Sequence, residues 1–163
     1  ARIAPPVCGL AEERIESAKV GVASALSGSA FMVPAALLQP DAFSAQWELS
    51  HDLLAAMLLL FGVVYRYAVR SDGENAMLKQ GVVGAFAITR CFSALQASPQ
   101  CTALPLTCGP PLGYLDSAMV VQLLSVGLES FVAFGGSAFV IEVCFERGLL
   151  ARLPGALPME EFE

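Results

Sequence analysis

Residues 53–69 read LLAAMLLLFGVVYRYAV. The only charge in the run is Arg66, near its end, and there is no proline. Apolar and polar positions do not alternate, which argues against a half-buried strand. The run also lacks the polar face that a surface helix of a soluble domain requires. It reads as the core of a membrane-crossing helix, for which about 20 predominantly apolar residues are needed. The predicted helix covers residues 45–70. Trp47 stands at one end and Tyr65 and Tyr67 at the other, as interfacial aromatics do. Arg66 and Arg70 are expected to reach water at the tyrosine end.

Three more helices follow outward from this one. Residues 20–38, VGVASALSGSAFMVPAALL, form the core of a helix predicted over 12–38. It is rich in small residues, which let helix backbones approach closely in lipid. Pro34 is expected to kink its last turns, and Gln39-Pro40-Asp41 ends it. A polar turn from Ser71 to Asn75 leads into a third helix over 76–97, short for a span and carrying Arg90. A loop dense in Pro, Gly and Cys separates it from a long fourth helix over 114–150, with Gln122, Glu129 and Glu142 in its apolar run. The continuous apolar runs argue against a β-barrel, whose strands alternate. The expectation is one all-α membrane domain over 1–163, a bundle of four transmembrane helices.

Composition agrees. Apolar residues make up 56% of the chain and charged residues 15%, against about 45–50% and about 25% in soluble domains, so the polar surface of a soluble fold is missing. The net charge of -6 and the absence of a basic stripe exclude nucleic acid as a partner. Acidic clusters at Glu12, Glu13, Glu16 and at Glu160, Glu161, Glu163 read as solvated ends. The chain as given starts at Ala1, and a presequence removed before it is expected.

Lys and Arg test the helix count. They occur before and early in the first helix (Arg2, Arg14, Lys19), around the second connection (Arg66, Arg70, Lys79) and after the fourth helix (Arg147, Arg152). The first and third connections carry none. Alternate loops are therefore positive, as four spans with both termini on the cytoplasmic or stromal side require.

Cys101 and Cys108 share the third connection, on the side that tolerates oxidation, and a disulfide between them would brace it. Cys8, Cys91 and Cys144 read as isolated small apolar residues. No CxxC spacing points to zinc.

Ionisable groups within membrane helices mark function or helix pairing. Arg90 is expected to form a structural ion pair with Glu48 or Asp52, which lie at the same end of the bundle. Glu48-x-x-His51 is half of a di-iron carboxylate motif, but His51 is the sole histidine and no second copy exists. One histidine also leaves most zinc hydrolase mechanisms without ligands, and no Gly-x-Ser-x-Gly elbow occurs. Nothing here reads as an enzyme. His51, Gln122, Glu129, Glu142 and Glu48 are instead suited to give one axial ligand to a chlorophyll magnesium.

Residues 60–72, LFGVVYRYAVRSD, and 78–90, LKQGVVGAFAITR, resemble a group of plastid and cyanobacterial four-helix membrane proteins. The middle third of the chain is also similar to small accessory subunits of algal photosystem I–antenna supercomplexes. The resemblance implies a thylakoid membrane location, photosystem core or antenna subunits as partners besides membrane lipid, and chlorophyll and carotenoid as cofactors. The chain departs from standard light-harvesting proteins, because Asp52 and Leu53 follow His51 where an arginine is expected two residues on. A non-enzymatic accessory subunit is the expected function. A small-solute or ion transporter, or a membrane assembly factor, is the alternative.

Overall fold

The structure is a computed structural model that describes residues 9–40, 42–70 and 75–153. Cys8, Asp41, residues 71–74 of the polar turn and the tail 154–163 lie outside the described residues. The chain is all-α, with helices α1 (Leu10–Leu37), α2 (Ala45–Val69), α3 (Ala76–Ser93) and α4 (Ser117–Glu146). Three of them, α1, α2 and α4, are long and apolar enough to cross a membrane. α4 has 30 residues, about 45 Å at about 1.5 Å per residue. α3 has 18, about 27 Å on the same rise, a little under the roughly 30 Å of a hydrocarbon core.

Each helix starts where a cap is available. Ser44 Oγ accepts the amide of Trp47 at 3.1 Å, Asn75 Oδ1 that of Leu78 at 3.1 Å, and Asp116 Oδ1 that of Met119 at 2.7 Å. Glu12 closes α1 by accepting the Gly9 amide at 3.3 Å. These caps satisfy donors that no intrahelical carbonyl can reach. Asp116 also explains why α4 starts later than the apolar pattern suggests. α4 ends at Glu146, short of the expected 150, and Gly148, with a φ of 69°, lets Leu149 donate back to Cys144 at 2.9 Å and Gly148 to Phe145 at 3.2 Å, a Schellman closure. α3 stops four residues earlier than the sequence pattern predicts. Its end is sealed from outside, by Gln122 of α4, which donates to the Ala94 carbonyl at 3.1 Å and accepts the Gln96 amide at 3.4 Å.

The helices run alternately up and down. α1 packs on both α2 and α4, α3 packs chiefly on α4, and α2 touches α3 and α4 only lightly. The α1–α2 crossing is tight because Gly62 presents no side chain: a Cβ there would stand 2.6 Å from Ser24 Cβ and 2.7 Å from the Val20 carbonyl oxygen. Ser24 Oγ donates to the Leu58 carbonyl at 2.6 Å and lies 2.7 Å from Ser137 Oγ of α4. This is the small-residue packing with interhelical hydrogen bonds that holds helices together when no hydrophobic force distinguishes helix from lipid. Phe61, Phe86 and Phe134 join α2, α3 and α4, with ring centroids 5.2–5.7 Å apart.

The described N- and C-terminal segments meet at one end, here the terminal end. Arg66 is 3% exposed, which corrects the expectation that it reaches water. Its Nε donates to the Ala151 carbonyl at 2.9 Å, and Nη1 to the Glu13 carbonyl at 3.2 Å and to Ser17 Oγ at 2.6 Å. Burial is tolerated because three acceptors from α1 and the C-terminal segment receive the guanidinium. Beside it Glu142 takes Tyr65 Oη at 3.0 Å, Lys79 at 2.8 Å and Arg152 at 2.6 Å. At the opposite end, the loop end, lie the α1–α2 and α3–α4 connections. There Cys101 and Cys108 are joined by a disulfide that brackets the paired residues Thr102 and Thr107.

Candidate functional site

A cleft of about 530 Å³ opens at the loop end, between the start of α2, the end of α3 and the first half of α4. The two helices that border it, α2 and α3, pack only lightly on each other. Its volume falls within the roughly 300–1,000 Å³ typical of ligand sites. α2 contributes Trp47, Ser50, His51 and Leu54, α3 contributes Arg90 and Ser93, α4 contributes Gln122, Val126 and Glu129, and Gln39 closes it from the end of α1.

His51 is held by its own helix. The Trp47 carbonyl, one turn back, lies 2.7 Å from His51 Nδ1. A carbonyl only accepts, so Nδ1 carries the proton. The Trp47 ring lies 4.4 Å from the imidazole, centroid to centroid, and donates its Nε1–H to the Ala36 carbonyl at 3.0 Å. That bond adds to the one the Ala36 carbonyl accepts from the Gln39 amide at 3.4 Å at the end of α1 and fixes the indole, which in turn fixes the imidazole. Nε2 has no hydrogen-bond partner among the described residues, and the ring lines the cleft. A committed Nδ1–H with a free Nε2 is the arrangement in which histidine serves as a metal ligand.

Arg90 lines the same cleft and donates through Nη1 to Ser130 Oγ at 2.9 Å; Ser130 donates on to the Val126 carbonyl. The expected ion pair of Arg90 with Glu48 or Asp52 is absent. Both carboxylates are exposed. The helical advance of about 100° per residue explains this: each acid directly follows an inward-facing residue, Trp47 or His51, and is turned away with the outer face of α2. Glu129 does line the cleft, and its Oε1 accepts from Gln39 at 3.3 Å. It stands outside ion-pair distance of Arg90.

Of the residues expected to bind a cofactor, the structure thus gathers His51, Glu129 and Gln122, with Arg90 beside them. The Gln122 amide is already spent on the end of α3. Glu48 lies outside the cleft. Glu142 lies at the terminal end with both oxygens engaged, away from the cleft. Sequence reasoning missed Gln39 and the role of Trp47. The signal for Trp47 was its spacing of four from His51, which stacks the two on one helix face.

A resident metal ion would need several converging donors. Among the described residues no three His, Cys, Asp or Glu side chains converge. His51 could give one axial nitrogen to a metal already held in a macrocycle, and most of the other residues lining the cleft are polar. A second, apolar cavity of about 170 Å³ adjoins the cleft and shares Trp47, His51 and Leu54 with it.

Comparison with protein-family models, curated proteins and solved structures finds no match for the chain.

Proposed function

We propose that this chain is a non-enzymatic accessory subunit of a thylakoid photosynthetic complex, photosystem I with its antenna foremost, that binds a chlorophyll-type pigment at His51 and bridges neighbouring subunits. The observation that carries the reading is His51 itself: Nδ1–H bonded to the Trp47 carbonyl, Nε2 without a hydrogen-bond partner among the described residues, and the residue lining a cleft of about 530 Å³. The pigment when bound supplies light absorption and a magnesium with one open axial position. The chain supplies the ligand atom, its orientation through Trp47, and the polar wall of Gln39, Gln122 and Arg90.

In this reading α3 spans as well, leaning on α4, and both termini face the stroma. The described Lys and Arg other than Arg90 support that orientation, since they fall in the outer turns of the helices at the terminal end or just beyond α4. Exposed apolar residues on α1, α2 and α4, such as Leu26, Leu60, Leu128 and Phe139, offer surface to lipid, to carotenoid and to neighbouring subunits.

The test is pigment extraction and an absorption spectrum of the protein purified in mild detergent, beside a native gel of the source membrane. Fixed-stoichiometry chlorophyll with co-migration in a photosystem band is the expected result. A colourless protein running alone rejects the proposal.

A second reading, a path for an anion or proton, draws on Arg90 and Glu129 facing one cleft. It expects ion flux in liposomes that Glu129→Gln abolishes.

A further inference from the structure

We propose that the loop-end cleft binds the uncharged, hydroxyl-rich headgroup of a glycosyl diacylglycerol, whose sugar enters the cleft while its acyl chains stay on the apolar outer surface. The proposal does not rest on the pigment reading: it uses the polar wall of the cleft and no metal.

That wall is balanced in charge. Arg90 and Glu129 are the only Lys, Arg, Asp or Glu side chains that line the cleft, so its formal charges cancel. They stand beyond ion-pair distance, yet the charge of Glu129 acts on Arg90. An added anion would meet Glu129 and an added cation would meet Arg90, each at a cost that grows where water is scarce. A ligand without net charge meets neither penalty.

Hydrogen-bonding capacity narrows the class. Arg90 uses Nη1 on Ser130 at 2.9 Å and keeps further N–H donors. Glu129 Oε1 accepts from Gln39 at 3.3 Å, while Glu129 Oε2 and Gln39 Oε1 have no hydrogen-bond partner among the described residues. Ser93 donates to the Arg90 carbonyl at 2.9 Å and keeps the lone pairs of its Oγ. Donors and acceptors therefore share one wall. A hydroxyl both donates and accepts at a single atom, so a sugar satisfies such a wall without bringing charge. A sugar ring also has an apolar C–H face, and Trp47, which lines the cleft, offers an indole to cover it.

Position selects a lipid over a free sugar. The cleft lies at the start of α2 and the end of α3. α2 is long and apolar enough to cross a membrane, which sets its ends at the headgroup layer, where tryptophan is enriched. Leu53 lines the cleft and is 57% exposed. The adjoining apolar groove, open to the surface and lined by Met32, Val33, Ala36 and Leu37, gives an acyl chain a place beside the headgroup.

Trp47 is the only tryptophan in the chain and lines both spaces, so quenching of its fluorescence by brominated acyl chains reports which lipid sits there. The full chain, purified without pigment in a detergent that has no sugar headgroup, is reconstituted into phosphatidylcholine vesicles. Brominated monogalactosyl diacylglycerol, phosphatidylglycerol and phosphatidylcholine are compared at equal mole fractions. The glycosyl lipid is expected to bind at least about tenfold more tightly than either phospholipid, the equivalent of a few net hydrogen bonds. Glu129→Gln leaves Arg90 uncompensated and is expected to turn the preference toward the anionic phosphatidylglycerol. Arg90→Gln is expected to weaken the glycosyl preference without that turn, and serves if the first variant does not fold. Free methyl galactoside is expected to leave the quenching unchanged; displacement of the lipid by it overturns the assignment to a lipid. Equal quenching of the unaltered chain by the three lipids, or its preference for phosphatidylglycerol, overturns the proposal. So does a glycosyl preference that persists at full size in whichever of the two variants folds. The vesicles hold no pigment, so none of these outcomes bears on the pigment reading.

Discussion

The Trp47 carbonyl and His51 Nδ1 stand 2.7 Å apart, one helical turn from each other on α2. The bond runs to the main chain, so it does not depend on the indole. The indole acts separately, by lying tilted against the imidazole and by tying α2 to the Ala36 carbonyl of α1. Trp47→Phe keeps a ring and loses the Nε1–H, so it should cost about 1 kcal/mol of stability and leave the histidine tautomer unchanged. Thermal unfolding in detergent checks the first part. The ¹⁵N shifts of the imidazole check the second, and a proton found on Nε2 in place of Nδ1 would remove the basis for ligation.

Gly62 faces Ser24 where α1 crosses α2. Gly62→Ala places a methyl group 2.6 Å from Ser24 Cβ and 2.7 Å from a backbone oxygen, and the backbone cannot yield without parting the helices. A loss of about 1–3 kcal/mol is expected. Ser24→Ala removes only the bonds to Leu58 and Ser137 and should cost about 0.6–1.7 kcal/mol. Unfolding of both variants by a denaturing detergent ranks them; the reverse order would mean that the crossing is looser than described.

Arg66 and Glu142 fasten the terminal end by different chemistry, and their variants should differ. Arg66→Lys retains the charge but cannot offer a planar fork to Glu13, Ser17 and Ala151 together. It should therefore lose stability nearly as Arg66→Ala does, by about 1.5–3 kcal/mol. Glu142→Gln strands Lys79 and Arg152 and should cost about as much, whereas Tyr65→Phe removes a single hydrogen bond to that carboxylate and should cost about half as much. Hydrogen exchange at residues 149–153 reads the release of the C-terminal segment in each case. Full protection in Arg66→Ala would show that the guanidinium does not hold it.

Asp116 lies at the loop end and caps α4. The Ser98 hydroxyl first, then the Met119 amide, and also the Gln100 amide, hold its carboxyl below the ordinary carboxylate range. A lowered folded-state value means that the ionised cap stabilises the fold at any pH above the ordinary aspartate value. The contribution fades as pH falls from there toward the lowered value. Asp116→Asn should flatten this acid-side dependence while keeping a side-chain oxygen for the cap. Hydrogen exchange of the first turn of α4, followed from neutral pH downward, tests it; identical profiles for the two proteins would exclude Asp116 as the titrating group.

The helices were legible because each depends on local information. Apolar runs of spanning length lie at residues 20–38 and 53–69 and again in α4, and Gln39-Pro40 and the Pro- and Gly-rich third connection break them. Cys101 and Cys108 were legible as a pair because a short loop leaves them few other partners. The misreadings concern direction. Glu48 and Asp52 are one residue along from Trp47 and His51, and one residue turns a side chain by about 100°. Which face of α2 points inward is decided by packing, and the sequence pattern of an almost wholly apolar helix hardly encodes it.

By itself the sequence determined that this is an all-α chain of membrane-spanning character, with Arg90, Glu129 and Glu142 placed in apolar helices. Hydrophobicity and caps act over a few residues, and so survive without knowledge of the fold. Only the tertiary structure decided that Glu142 binds Lys79 and Arg152 while Glu129 lines a cleft, that Arg66 is buried under the C-terminal segment, and that His51 Nε2 has no hydrogen-bond partner among the described residues. Each of those outcomes depends on which partner atoms lie within about 3 Å, and that is set by how helices distant in sequence cross.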